Sequence, residues 1–289
     1  MSVARTSADE LFAIAAECWG YLESEPLDGW ELRAGAGFTN RANSAWPLGP
    51  LRRPLPQALD EVHAWYVERG LTPQVQVTVG SEFDDELTAH GCGAGHDSAL
   101  RQTAEVLPAL EILIAHEHPN VPVSTTARPQ DRWLRLYREG TLPPQAKEIL
   151  GSGDDYLYAT IYDEFSGEPL SIGRAVLAGE SKSWVGLAAI ETADTARRRG
   201  LARLILGTLL GWAADQGAER AMLEVRPEND AALALYRRLG FTTAHRYHYR
   251  TVAGAAQSAQ RSTDDQTKQS AELRPDDQPG QPARSAPEA

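Results

Sequence analysis

Cysteine is almost absent from this chain. Cys18 and Cys92 are its only two, they stand far apart, and neither belongs to a CxxC pair. That spacing argues against a disulfide framework and against a zinc knuckle, and it leaves both thiols as small buried hydrophobes. Long apolar runs are missing as well: no stretch approaches the roughly 20 residues a membrane span needs, so no membrane partner is expected. A secretory leader is also lacking, because Asp9 and Glu10 put acidic charge where a basic region would lead into an apolar one. A cytoplasmic location is the expectation. Finally, basic residues are in deficit, with 28 Lys and Arg against 40 Asp and Glu and a formal charge of −12. Phosphate neutralisation needs a concentrated basic surface, so nucleic acid is not expected as a partner. No metal is expected either: His116-Glu117-His118 offers two histidines at i and i+2 beside Pro119, without the further ligands a site requires.

What the chain does have is length and two alternating periodicities. Its 289 residues suggest two domains, each of about 100–150 residues. From Val252 onward Gln, Ser, Ala, Pro and mixed charge dominate, the composition of a disordered tail. Before it, 121–124 reads as a short strand, and 129–138 and 144–150 read as helices. Strands follow at 156–162, 170–177 and 184–190, separated by turn-forming Ser166-Gly167 and Gly179-Glu180-Ser181, which implies an antiparallel meander. After Ile190 the period becomes helical through Leu201, Leu204, Ile205, Leu209 and Trp212 until Gly217. A strand at 221–225, a helix at 229–239 and a strand around 247–250 complete an α/β (α+β) pattern with a mixed, mostly antiparallel sheet flanked by helices.

The earlier half repeats part of this order. A helix over 8–23, strands at 29–35 and 41–48, a helix at 55–69, a strand at 75–79, a helix at 82–90 and a strand near 97–103 are expected. Trp65 stands before Gly70 as Trp212 stands before Gly217, which suggests a weak internal repeat. The expected division is an N-terminal domain over 1–105, a linker over 106–120, a second domain over 121–251 and a tail over 252–289.

Chemistry concentrates where a strand meets the long helix. Arg197-Arg198-Arg199-Gly200-Leu201-Ala202 opens that helix, with Arg203 following. A helix start leaves about four N–H groups without internal partners and carries about half a positive charge, so it suits a diphosphate. Gly200 and Ala202 let phosphate oxygens approach the backbone, and arginines at this end oppose the macrodipole unless an anion is present. Some thirty residues on comes Asn229-x-x-Ala232-x-x-Leu235-Tyr236-x-x-x-Gly240-Phe241.

The two motifs together resemble those of the GNAT superfamily of N-acetyltransferases, over about 121–250, and the element order is the one that fold uses. The resemblance implies acetyl-CoA as co-substrate, its pyrophosphate at the first motif and its pantetheine arm along Ile190 and Thr192. It also implies a small-molecule or peptide amine as acceptor. Tyr236 is the candidate for assisting the departing sulfur. A thiol titrates near 8.5 and a tyrosine near 10, so its contribution is a hydrogen bond or a late proton transfer. Asn229 suits cofactor binding or a helix cap equally. Glu191 and Glu224 are the accessible carboxylates for a base, with Glu191 the weak choice.

In the first repeat the equivalent of the cradle reads Arg52-Arg53-Pro54-Leu55-Pro56, where each proline removes a backbone donor, so that half is expected to be a degenerate copy without a cofactor site. The whole chain, including 37–44 and 245–250, more loosely resembles actinobacterial N-acetylglutamate-synthase-like GNAT proteins, which implies glutamate as a candidate acceptor. Leu223-Glu224-Val225-Arg226 resembles the ribosomal-protein alanine acetyltransferases, and the doubled layout is similar to mycothiol synthase. A sensor that binds acetyl-CoA without chemistry is the non-enzymatic alternative.

Overall fold

The computed structural model describes residues 7–116, 119–140, 142–151 and 153–254. Glu117, His118 and most of the tail therefore lie outside the described residues. The N-terminal half runs α1 (Ala8–Glu17), β1 (Glu23–Leu27), β2 (Trp30–Ala34), β3 (Ala45–Pro47), α2 (Leu55–Glu68), β4 (Gln74–Thr78), α3 (Glu82–Ala89), β5 (His96–Glu105) and α4 (Val106–Ile114). The C-terminal half runs β6 (Ser124–Thr126), α5 (Asp131–Leu136), α6 (Ala146–Leu150), β7 (Tyr156–Tyr162), β8 (Pro169–Ala178), β9 (Trp184–Thr192), α7 (Leu201–Asp215), β10 (Arg220–Val225), α8 (Asp230–Arg238) and β11 (Thr242–Thr251).

The repeat read from the sequence has a spatial counterpart. β3 leads through α2, β4 and α3 to β5 as β9 leads through α7, β10 and α8 to β11, and both long helices exit through a left-handed glycine, Gly70 and Gly217. The strands form one eleven-stranded sheet in the order β1-β2-β3-β4-β11-β5-β10-β9-β8-β7-β6. Each half thus lends its last strand to the other. β11 lies antiparallel between β4 and β5, and β5 lies antiparallel between β11 and β10. The expected meander is present as β6 to β9, all antiparallel, while β9 and β10 run parallel.

Three expectations are corrected. Residues 106–120, read as a linker, contain α4, whose Val106, Ala109 and Leu113 are buried in the core shared with α7. The apolar run Val-Leu-Pro-Ala-Leu-Glu-Ile-Leu-Ile masks its period, and Pro108 is tolerated because it falls in the first turn, where an N–H has no intrahelical acceptor anyway. The tail begins later than Val252, which is buried with the β2–β4 core and donates its N–H to Pro73 O at 2.9 Å. The boundary at 105 is likewise no break in packing, because α1 contributes Leu11, Phe12 and Ile14 to the same core as Trp133, Tyr158 and Trp184. Among the described residues no helix is long and apolar enough to cross a membrane.

β11 is also held from the side. Asp84 of α3 accepts hydrogen bonds from His248 (Nε2, 2.8 Å) and Arg250 (Nε) of β11 and from the Gly80 N–H at 2.9 Å. Burial raises the Asp84 carboxyl, but Arg250, the Gly80 amide and His248 outweigh it and hold it at about 2. Because the folded pKa lies below the unfolded value near 4, this stabilisation is present above pH 4 and is lost as pH falls through 2. We expect Asp84→Asn to lower stability by on the order of 2 kcal/mol at pH 7 and to flatten the fall in stability between pH 5 and 2. Urea unfolding across that range measures it, and an unchanged pH slope would remove Asp84 from the acid response.

Candidate active site

The cleft begins with a defect in β9. Between Ala188 and Glu191 the register against β8 shifts, so that Ile172 pairs with Glu191 while Arg174 pairs with Ala188, and Ala189 adopts a left-handed φ of 55°. A bulge of this kind bends the strand and turns it away from its neighbour. Pairing of β9 with β10 stops at Leu187 and Leu223. Beyond that point the two parallel strands diverge, and the edge of β9 from Ala188 to Thr192 has no β10 partner.

Into this gap opens a cleft of about 920 Å³ whose floor is Ile190, Glu191 and Thr192, with one wall at the start of α7 and the other along α8. The start of α7 differs from those of α1, α3 and α8. Ser7, Ser81 and Asn229 cap α1, α3 and α8 with side-chain oxygens, and each of those helices has acidic residues in its first turn. α7 has no capping side chain and no acid in its first turn; its N-cap is Gly200 in the left-handed region, φ 78°. Its first N–H groups therefore face the cleft without a protein acceptor inside the helix. A Cβ at Gly200 would require a conformation that L residues avoid. Arg197, Arg198, Leu201, Ala202 and Arg203 line the same wall. These features fit a diphosphate: bare backbone donors, the positive helix end and guanidinium groups close together. Arg199 is the predicted residue that does not line the cleft; it contributes instead to the field that holds Asp163 down.

Tyr236 stands where this cleft meets a second cavity, and its neighbour Ala232 is small enough to leave the passage open. Burial raises its hydroxyl to about 12, so it stays protonated and available as a donor. Asn229 does what its residue type suggests, accepting the Ala232 N–H at 3.1 Å, while it also lines both cavities.

The second cavity, of about 300 Å³, shares Ile190 and Glu191 with the cleft, and Arg41, Arg138 and Arg226 connect it with a third, of about 450 Å³. Residues from both halves build it. Asn43 fixes the loop 35–43 by accepting the Gly35 and Gly37 N–H groups at 2.8 and 3.0 Å and donating to Thr39 O at 2.7 Å. That loop presents Arg41 to both cavities and Phe38 to the third. Opposite, Glu224 is buried between Arg41 and Arg101, with Arg101 Nη2 at 2.7 Å. Burial alone would raise its carboxyl, but the two guanidiniums hold it at about 2, so Glu224 is an anchor rather than a proton acceptor. Glu191 remains as the carboxylate on the rim of both cavities, accepting the Arg138 N–H at 3.1 Å. Cys18 also touches the second cavity, but burial pushes its thiol to about 12, which makes it an inert filler.

The predicted residues Ile190, Glu191, Thr192, Gly200, Asn229 and Tyr236 therefore converge on one cleft. Sequence reasoning missed the acceptor side: Trp19, Arg41, Tyr137, Arg138, Arg174 and Arg226 come from five separate stretches. No spacing links them. Among the described residues no group of His, Cys, Asp and Glu is arranged to hold a metal ion.

Comparison with known proteins agrees with this geometry. The family model described as "Probable histone acetyltransferase Rv0428c C-terminal" matches residues 9–250. The chain is 31% identical to the probable histone acetyltransferase Rv0428c of Mycobacterium tuberculosis over 236 residues, which covers 81% of this chain and 70% of that protein. It is 26% identical to the uncharacterized N-acetyltransferase YobR of Bacillus subtilis over 247 residues, 82% of this chain and 95% of the relative. A GCN5-related N-acetyltransferase from Kribbella flavida shares the fold with a TM-score of 0.63 at 16% identity, over 87% of this chain and 98% of its own. With a family match over nearly all the described residues and the two GNAT motifs on one cleft, the chain belongs to the family of the Rv0428c C-terminal region and is an acyltransferase of the GNAT type.

Proposed function

We propose that the chain moves an acetyl group from acetyl-CoA, bound in the cleft between α7 and α8, to a primary amine seated in the cavity between the two halves. The observation that carries this reading is the shared wall: Ile190, Glu191, Asn229, Ala232 and Tyr236 line both spaces, so a thioester in one and an amine in the other would meet there. Acetyl-CoA supplies an acyl carbon already activated by its thioester. The protein's part is to position it and to handle protons. The start of α7 with Arg197, Arg198 and Arg203 binds the pyrophosphate, and the unpaired edge of β9 at Ile190 and Thr192 binds the amide-bearing arm. Glu191 takes the proton that the amine must lose. Tyr236 donates a hydrogen bond at the sulfur. With a hydroxyl near 12 it is a weak acid, so stabilising the developing thiolate suits it better than full proton transfer.

Free glutamate is one acceptor that fits the cavity's size class, and the N-terminal amine of a polypeptide is the second reading, favoured by the name of a Salmonella typhimurium relative, a ribosomal-protein alanine N-acetyltransferase. Following free CoA thiol with acetyl-CoA and a panel of amino acids, aminoglycosides, polyamines and peptides separates these. Tight acetyl-CoA binding without amine-dependent thiol release would instead identify a sensor. We expect Tyr236→Phe to lower kcat about 10- to 100-fold while acetyl-CoA affinity changes less than about twofold; equal turnover would exclude the tyrosine from the reaction. Gly200→Val should weaken acetyl-CoA binding by about tenfold or more by calorimetry, through its left-handed φ and the lost approach to the backbone. Unchanged affinity would move the pyrophosphate elsewhere.

A further inference from the structure

The acceptor side of the site has a charge that the chain as a whole does not. On a protein of net charge −12, its two connected cavities are lined by Arg41, Arg138, Arg174 and Arg226 against Glu191, Glu224 and Asp97. The acids are largely committed. Glu224 is shared by Arg41 and, from behind, Arg101; Asp97 accepts from Asn40 Nδ2 at 2.8 Å. The arginines are less so. Arg174 is fully buried, yet its guanidinium has no carboxylate partner among the described residues: it donates to Leu150 O and Cys18 O (2.7 Å), meets the Tyr158 hydroxyl and the Trp19 ring, and its Nε has no partner. Arg138 donates from Nη1 to Phe38 O at 3.0 Å. Arg226, just after β10, has no ion pair among the described residues and stands where the two cavities meet. Arg138 and Arg226 are exposed at the mouth, whereas a buried guanidinium such as that of Arg174, without a carboxylate, is costly unless an anion adds to its partners.

We propose that the acceptor is an amine that also carries an anionic group, a carboxylate or a phosphate monoester. Its amine points to Glu191 and Tyr236, and its anion is bound by Arg226 and Arg138 with Arg174 adding to the field. This deepens the reading of the cavity as the acceptor site and rests on it. The same charges act against polycationic acceptors: a lysine-rich tail or a polyamine would bring its second cation against Arg41, Arg138 and Arg226. Glu191 is the acid on this side placed for an ammonium, and it can serve one.

The test is a pair of measurements on the full chain. Calorimetry with protein saturated with desulfo-CoA, which prevents turnover, compares L-glutamate and L-alanine with their fully amidated counterparts, glucosamine 6-phosphate with glucosamine, and spermidine. At least one anion-bearing amine should bind about tenfold or more tightly than its neutral partner, with spermidine not detected. The carboxylate and phosphate arms tell the two anions apart. Arg226→Gln should abolish that preference and leave desulfo-CoA affinity within twofold; Arg226→Lys should restore part of it, which a merely structural role would not produce. Binding of neutral amines or spermidine as tight as that of the anionic ones, or no binding by any anionic probe, overturns the proposal. Thiol release with acetyl-CoA then addresses the underlying reading separately: anion-selective binding with no acetylation of any bound amine would leave the anion site standing and remove the acetyl-transfer assignment.

Discussion

A single buried carboxylate holds the functional geometry together. Glu224 sits near the end of β10, Arg101 on the exchanged strand β5 and Arg41 in the loop after β2, so one ionic cluster joins three parts of the chain that are remote in sequence. Ion clusters of this kind gain little net stability over apolar packing, because desolvating the charges offsets their attraction, but losing one partner strands the others. Here the cluster is also cushioned by rings: Arg41 lies 5.1 Å from the centre of Trp19, and Arg101 lies 5.3 Å from Phe12 and 4.8 Å from Tyr247. The consequence is specificity of arrangement. The cluster ties the N-terminal half to β10 where Arg41 and Glu224 both line the acceptor cavity.

Much of this was legible from residue patterns, and the reasons differ by element. α7 was readable because its apolar spacing is regular and because Arg-Arg-Gly-Leu-Ala at its start contradicts ordinary helix capping, a local conflict that signals a ligand. The meander was readable because turn residues interrupt three alternating stretches. α4 was missed because its nine residues are apolar apart from Glu111, which hides the helical period, and β1 was missed because Glu-Ser-Glu-Pro-Leu is exposed on four of its five positions and sits at the sheet edge. Glu224 was readable as a carboxylate in the right region but not as a clamped one, since both arginines that hold it come from more than a hundred residues away. Long-range ion pairs leave no spacing to read.

The two halves share an order of elements but not a chemistry. At the start of α2, Pro54 and Pro56 stand where α7 has Gly200 and Ala202, and Arg53 is already neutralised by Asp28 and Glu61. The arginine at this helix start is thus answered from within the protein, and the N-terminal half contributes a wall of the acceptor cavity. Loop 35–43 is that wall's working edge, and its shape depends on one side chain, Asn43, that satisfies two amides and a carbonyl at once.

Because β11 lies between β4 and β5, the N-terminal half lacks a neighbour for both strands until Thr242–Thr251 has been made. On the ribosome, the nascent chain must therefore hold two open strand edges, with Val75 and Val77 on one of them, through the synthesis of nearly all the second half. A chain cut before Thr242 would keep the residues of the core around α7, none of which comes from that strand, but would leave β4 and β5 without the neighbour they share.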